Sequence, residues 1–342
     1  MSTGSLGGAI LRRLVLGLPT LAGVIVVSFI LTRLLPGDPA VYFAGAAPTA
    51  EAIAELRKTL LLDHSLWDQF VAYLVQLARG DLGRSLVTGQ PVVKDLSLRF
   101  PATMELTGTA LALALSVAVP LGIAGALRKG RAIDHICRIV STMALSMPAF
   151  FTGLLLVFVF YYLLGLAPAP LGRVDPMAFP LPDRTGFILM DAILAWDWSN
   201  FRDGLAHLVL PAFALALAGI GPLTRVTRGA MLAVLTSDFI RAARSYDMPR
   251  WRLVYVYALR NAMLPVLTTS GFVFSFLISA NVVVEKVFSW PGIGSYALEA
   301  LVASDYAAVQ GFVLAVATLY VLVNIAIDIL YGIVDVRVRL AG

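Results

Sequence analysis

Long apolar runs separated by short polar interludes set the pattern of this chain. Runs at 14–35, 106–127, 136–166, 205–223, 264–284 and 309–334 each reach the length of about 20 residues that an α-helix needs to cross a bilayer. Six membrane-spanning helices are therefore predicted, the third longer than a span requires. Two interludes are long enough to hold structure of their own. Residues 36–100 contain two helical patterns, "TAEAIAELRKTL" and "SLWDQFVAYLVQLARG". In the second, Ser65 is an N-cap with Asp68 three residues on, Phe70, Leu74 and Leu77 repeat on one face, and Gly80 is a stop signal. Such a helix is either a lid over the bundle or a docking surface for an external partner. Residues 167–204 carry Pro168, Pro170, Pro176, Pro180 and Pro182 and then "AWDWSNF", whose Trp196 and Trp198 suit a membrane interface. No independent core is expected there.

Composition agrees with the pattern. The chain is 59% hydrophobic and 14% charged, against roughly 25% charged in soluble domains, and its mean hydropathy is +0.85. The first run follows Arg12 and Arg13 as a signal peptide would, but it ends in "RLLPGDPA" without a small-x-small cleavage pattern and precedes five more spans. A retained helix is expected. Cys137 stands alone, and His64, His135 and His207 are scattered, so neither a disulfide nor a metal cluster is foreseen.

Charge orients the helices. With the N-terminus inside, the inside segments hold Arg12 and Arg13, then Arg128, Lys129, Arg131 and Arg138. They also hold Arg225, Arg228, Arg241, Arg244, Arg250, Arg252 and Arg260, and finally Arg337 and Arg339. These are most of the chain's 26 basic residues. The inside acids are chiefly Asp134, Asp238, Asp247 and Asp335, whereas one outside loop carries Asp175, Asp183, Asp191, Asp197 and Asp203. The positive-inside rule places both termini in the cytoplasm. The net charge of +5 follows from this asymmetry, and no nucleic-acid partner is implied.

Catalytic and ion-relay chemistry is missing. Ionisable groups in spans are sparse: Glu105 starts one, Asp328 lies near the end of the last, and Arg33 is placed to snorkel to the outer interface. There is no TVGYG filter, no Gly-x-Ser-x-Gly elbow and no HExxH pair. Prolines and glycines do interrupt the spans, at Pro120, Gly122, Gly125, Pro148, Gly153, Pro211, Gly219, Gly221 and Pro222. Irregular backbone at membrane depth belongs against protein or a watery path. In "SMPAFFTG", Ser146, Pro148, Phe150 and Phe151 are the path candidates; helix packing through small residues is the alternative.

The most unusual stretch is "RAARSYDMPRWRLVYVYALRNAMLP", residues 241–265. Thr236, Ser237 or Asp238 is placed to cap a helix in which Phe239, Ala242, Ala243 and Tyr246 share one face, flanked by Arg241 and Arg244. Asp247 is expected in the left-handed conformation that ends a helix, and Pro249 in the first turn of the next. The result is a helix–turn–helix elbow whose small side chains suit a groove in a partner.

"RAARSYD" and "YALRNAMLP" resemble, in register, the cytoplasmic loop motif of ABC importer inner-membrane permeases of the dipeptide, oligopeptide and nickel branch. "LPGDPA", "GDLGRSL", "RFPATMEL", "HLVLPAFAL", "VVVEKVFSWPGIG", "DYAAVQG" and "LVNIAIDILYGIVDVRVR" are similar to further stretches of that branch, in order along nearly the whole chain. The resemblance implies an all-α membrane protein of the type I importer permease fold, with six transmembrane helices and a helical extracytoplasmic insertion after the first. Its implied divisions are 1–35 for the N-terminus and first helix, 36–100 for the insertion, 101–335 for the transmembrane domain with a coupling helix at 237–252, and 336–342 for a cytoplasmic tail.

Phe239, Arg241, Ala242, Ala243, Arg244, Tyr246 and Asp247 would then form the ATPase-coupling site, while Arg260, Asn261 and Pro265 fix the return into the membrane. Asp247 stands where the family has glycine. The implied partners are a second homologous permease, two cytoplasmic ABC ATPases, an extracytoplasmic substrate-binding protein and membrane lipid. The chain lacks a Gly-x-x-x-x-Gly-Lys-Ser/Thr loop. It is therefore expected to be non-catalytic and without a cofactor, with ATP and magnesium held by the partner ATPases. The implied location is a bacterial or archaeal cytoplasmic membrane. Peptides are the default substrate, with nickel chelates, glutathione or opine-like solutes as alternatives; an ion-coupled carrier or a passive scaffold would be a different class of protein.

Overall fold

Five of the six apolar runs become helices longer than themselves, because a helix, once nucleated, extends past the hydrocarbon wherever its residues permit. The computed structural model describes residues 6–34, 40–41, 49–59, 61–178, 182 and 184–334, and side chains from Val15 to Tyr331. The side chains of Arg12 and Arg13, most of "LPGDPA", Pro180, Asp183 and the tail with Asp335, Arg337 and Arg339 lie outside the described residues. Helices run over Leu6–Leu34 (α1), Ala50–Thr59 (α2), Leu66–Ala78 (α3), Val92–Leu127 (α4), Ala132–Ser146 (α5) and Ala149–Leu156 (α6), which continues as a wider π-turn segment Val157–Leu163. Then follow Ile188–Leu194 (α7), Trp198–Leu235 (α8), Asp238–Ser245 (α9), a π segment Arg252–Ala258 leading into Leu259–Val287 (α10), Ile293–Val302 (α11) and Tyr306–Val334 (α12).

Among the described residues five of these helices are long and apolar enough to span, and α5 with α6 and its π segment passes the same test only as a pair, bent by 98° at the break. The run at 136–166 is thus a broken helix, not one long one. Met147 is extended (φ −100°, ψ 120°) before Pro148, as expected where the proline ring disfavours helical backbone in the preceding residue. Elsewhere prolines do not break the spans: α4 runs through Pro101 and Pro120, and α8 through Pro211 and Pro222.

The core is a seam of small residues. Ala102, Ala110, Ala114 and Ala118 of α4 are buried against Ala212, Leu215, Ala216 and Ile220 of α8, with Val273 and Leu277 of α10 completing the layer. A Cβ added at Gly219 would lie 2.9 Å from Val273, and one at Gly122 would lie 2.7 Å from Thr227. These glycines mark close helix approach, the chief attractive contact between helices in lipid.

One end of the bundle is closed by a polar clasp. Glu285, 0% exposed, accepts a hydrogen bond from the Thr103 hydroxyl at 2.6 Å on one oxygen and from the Ser295 amide at 2.8 Å on the other. Thr103 in turn accepts from the Ile293 amide, and Trp290 Nε1 donates to Ala102 O, both at 2.9 Å. Helices α4, α10 and α11 are thereby tied at one point. This accounts for "VFSWPGIG": a Cβ at Gly292 would sit 2.0 Å from Glu285 Oε1 and 2.4 Å from Thr103 Oγ1.

Further acids secure the same end. Asp305, also 0% exposed, accepts from Ser85 Oγ and the Leu86 amide at 2.7 Å and pins the loop before α4 to the start of α12. Glu105 pairs with Arg173 at 2.5 Å and accepts the Leu189 amide at 3.0 Å. Asp197 caps α8, and hydrogen bonds from Asn200, first its backbone amide, hold this carboxyl below the usual range. Ser65 caps α3 as predicted, accepting from the Asp68 amide, and Gly80 follows with φ +75°. The buried face of α3 is centred on Gln69 and Tyr73, however, and Leu74 points outward. Phe29 of α1 takes Phe70 and Tyr73 at 5.0 and 6.0 Å between ring centroids, so the face toward α1 keeps Phe70 of the predicted stripe but has Tyr73 in place of Leu74.

Replacing Gly292 with Ala is expected to destabilise the protein by about 1–3 kcal/mol through overpacking. Thermal unfolding in detergent checks this, with Gly23→Ala, where a Cβ meets nothing within 4 Å, as the neutral control. A Gly292→Ala protein that melts with the wild type would remove the clasp from its structural role.

Candidate functional site

At the opposite end, α8 stops at Leu235 and the chain turns into the short helix α9. Ser237 occupies the N-cap position, but its hydroxyl donates back to Val234 O at 2.5 Å, closing the end of α8. Asp238 in the first turn and Arg244 in the last both suit the helix dipole, and exposed Arg241 pairs with Asp238.

The anchor of α9 is Ile240, 0% exposed. It enters a cluster of Ile123 and Ala126 from α4, Met231 from α8, and Leu253, Val254 and Ala258 from the π segment. The cluster draws on α4, α8 and the π segment that leads into α10. Ala243 packs inward beside it, while Phe239 is 46% and Tyr246 84% exposed and Ala242 is also open. The predicted common face of Phe239, Ala242, Ala243 and Tyr246 is therefore divided: Ala243 belongs to the seat, and Phe239, Ala242 and Tyr246 belong to the free surface. Sequence reasoning missed Ile240, although a lone branched aliphatic in an arginine-rich helix was a legible signal.

The elbow closes as its sequence foretold. Asp247 adopts φ +53°, and its amide donates to Arg244 O at 3.1 Å. A left-handed non-glycine residue costs about 1–2 kcal/mol, less for Asp, whose side chain bonds locally. The Leu253 amide then reaches Pro249 O at 3.1 Å to start the next helix. The π segment, not foreseen, turns Leu253, Val254 and Ala258 onto the Ile240 cluster. Beyond it Arg260, Asn261 and Pro265 are exposed, with Asn261 Nδ2 donating to Tyr257 O at 2.7 Å. Just above the elbow, Arg228 of α8 forks onto Asp134 of α5, Nε to Oδ1 at 2.5 Å and Nη2 to Oδ2 at 3.0 Å.

Of the path candidates, Ser146, Pro148 and Phe150 line one groove of about 450 Å³ at the α5–α6 bend, facing Pro222, Phe272 and Phe276. Phe151 is not on its wall and is half exposed. The helical break thus opens a cavity, as irregular backbone at membrane depth requires.

Residues 118–340 match the family described as binding-protein-dependent transport system inner membrane component, and residues 8–107 match its N-terminal component. The chain belongs to that family. It is 42% identical to a protein of Escherichia coli named "Probable D,D-dipeptide transport system permease protein", over 98% of each chain. The dipeptide transport system permease protein of the same species is 40% identical, over 96% of this chain and 98% of its own. The di/tripeptide transport system permease protein of Pseudomonas aeruginosa gives the same identity and coverage. The protein is thus an all-α permease subunit of an ABC importer, carrying transport rather than a chemical reaction, and it works in a complex with other subunits.

Truncating Ile240 to Ala is expected to loosen α9 by about 2–5 kcal/mol. Hydrogen exchange in detergent should show lost protection at amides 240–246 while α8 and α10 stay protected. Unchanged exchange across α9 would mean that Ile240 is not its anchor.

Proposed function

We propose that this permease forms half of the path of an ATP-driven, binding-protein-dependent importer of di- or oligopeptides. It pairs with a second homologous permease, two cytoplasmic ABC ATPases and an extracytoplasmic binding protein. The observation that carries the reading is the free face of Phe239, Ala242 and Tyr246, presented on a helix whose other side puts buried Ile240 in an apolar cluster with residues of α4, α8 and the π segment. The names of the full-length relatives support peptides as the cargo.

The charge pattern supports a cytoplasmic elbow and termini, with the Glu285 clasp outside. In this reading residues 1–35, 36–100, 101–335 and 336–342 are the first helix, outer insertion, transmembrane domain and cytoplasmic tail. ATP and magnesium sit in the ATPases. Their closure on ATP binding draws the elbows together, and because Ile240 joins α9 rigidly to α4, α8 and α10, the bundle tilts as a body toward an outward-open state. Hydrolysis resets it. Phe239, Arg241, Ala242, Arg244, Tyr246 and Asp247 contact the ATPase, with Ala243 as the spacer beneath. The groove holding Ser146, Pro148 and Phe150 lies along the path.

The test is uptake by the assembled transporter in proteoliposomes. Ala242→Glu, which adds bulk and charge to the open face, should lower ATP-driven dipeptide uptake at least about tenfold, the loss expected when a close-packed contact site is filled, with assembly of the chain in the membrane unchanged. Wild-type uptake by this variant would overturn the elbow as the coupling site. Uptake driven by an ion gradient without ATP would overturn the importer reading. Asp247→Gly, which relieves the backbone, should retain uptake.

A further inference from the structure

Above the clasp end, α3 covers the end of α1 and encloses a pocket of about 270 Å³. Its polar wall includes Arg33, Arg84, Gln69, Gln76 and Gln310, and among the described residues none of its lining side chains is acidic. Arg33 is the central group. Its guanidinium carbon lies 4.1 Å from the Phe29 ring centre and 5.1 Å from that of Tyr306. Its Nε donates to Gln69 Oε1 and its Nη1 to Thr32 Oγ1, both at 3.2 Å. Phe29, Tyr306, Gln69 and Thr32 are neutral, and among the described residues no carboxylate pairs with it. A largely enclosed guanidinium ordinarily has a counter-charge, and a planar fork facing a small cavity fits the two oxygens of a phosphate or carboxylate.

The surroundings choose between sources of that oxyanion. Beside the pocket, α3 turns Leu66, Trp67, Val71, Leu74 and Val75 outward. On α1, Val27, Ile30, Leu31 and Leu34 are likewise exposed up to the turn that carries Arg33. Two apolar surfaces meet at the pocket with cationic groups at their edge, which is the layering of acyl chains and headgroups at a bilayer surface. We propose that this pocket binds the phosphate of a membrane phospholipid, with Arg33 as the fork and Arg84 as a second cation that favours an anionic headgroup. The bound lipid would cement α3 to α1 and α12, since Gln310 of α12 already donates to Thr32 at 2.9 Å.

The experiment titrates the assembled, delipidated transporter in detergent with short-chain phosphatidylglycerol and counts bound lipid by native mass spectrometry. Wild type should retain one lipid through this pocket. Arg33→Lys keeps the charge and loses the fork; Arg84→Gln changes only an exposed loop side chain and serves should the first variant fail to assemble. Either should weaken that binding at least about tenfold, the loss of one charge-assisted contact. Equal retention by wild type and Arg84→Gln, or by wild type and an assembled Arg33→Lys, would overturn the proposal. So would displacement of the lipid by excess inorganic phosphate, which would make the pocket a site for free anions.

Discussion

A carboxylate with no exposed surface organises one whole end of this bundle. Glu285 has Thr103 on one oxygen and the Ser295 amide on the other, so the start of α4, the end of α10 and the beginning of α11 meet around a single side chain. In lipid no water is at hand to satisfy a stray polar group, and the cost of an unpaired one is high. The clasp is therefore specific: neither oxygen can exchange its partner for solvent. Gly292 and Gly294 follow from it, because the loop must pass where a Cβ would collide with the carboxylate or with Val282.

The other end is held by the opposite kind of force. There Ile240 is seated among aliphatic side chains of α4, α8 and α10, and the polar groups of α9 face outward. Apolar seating fixes where the helix lies without engaging its exposed face, which leaves Phe239, Ala242 and Tyr246 available to a partner. Between the two ends run the alanine and glycine contacts of α4 with α8, close enough for the pair to move as one body.

Much of this was legible along the chain. Apolar run length announced the spans, Ser65 and Gly80 the bounds of α3, and Asp247 with Pro249 the elbow, because each rests on a local rule of backbone or solvation. The misses share a cause. The break at Pro148 was readable as a flaw in a helix but not as a bend of 98°, since the angle depends on what packs against each half. Periodicity put Leu74 on one face with Phe70 and Leu77, yet Phe29 draws Phe70 and Tyr73 toward α1 and leaves Leu74 exposed. Ile240 and Ala243 were separated from their outward neighbours by a cluster that includes Ile123, Met231, Leu253 and Val254, distant in sequence.

By itself the sequence determined that this chain lives in a membrane, where its long apolar helices lie and where its elbow falls, because these follow from the solvation of runs and the conformational limits of single residues. Tertiary structure alone decided which residues are joined across the chain: Thr103 to Glu285, Ser85 to Asp305, Arg228 to Asp134, and Ile240 to three helices. Such contacts depend on distances between segments far apart in sequence. No local rule contains them, since the packing of helices and loops against one another sets those distances.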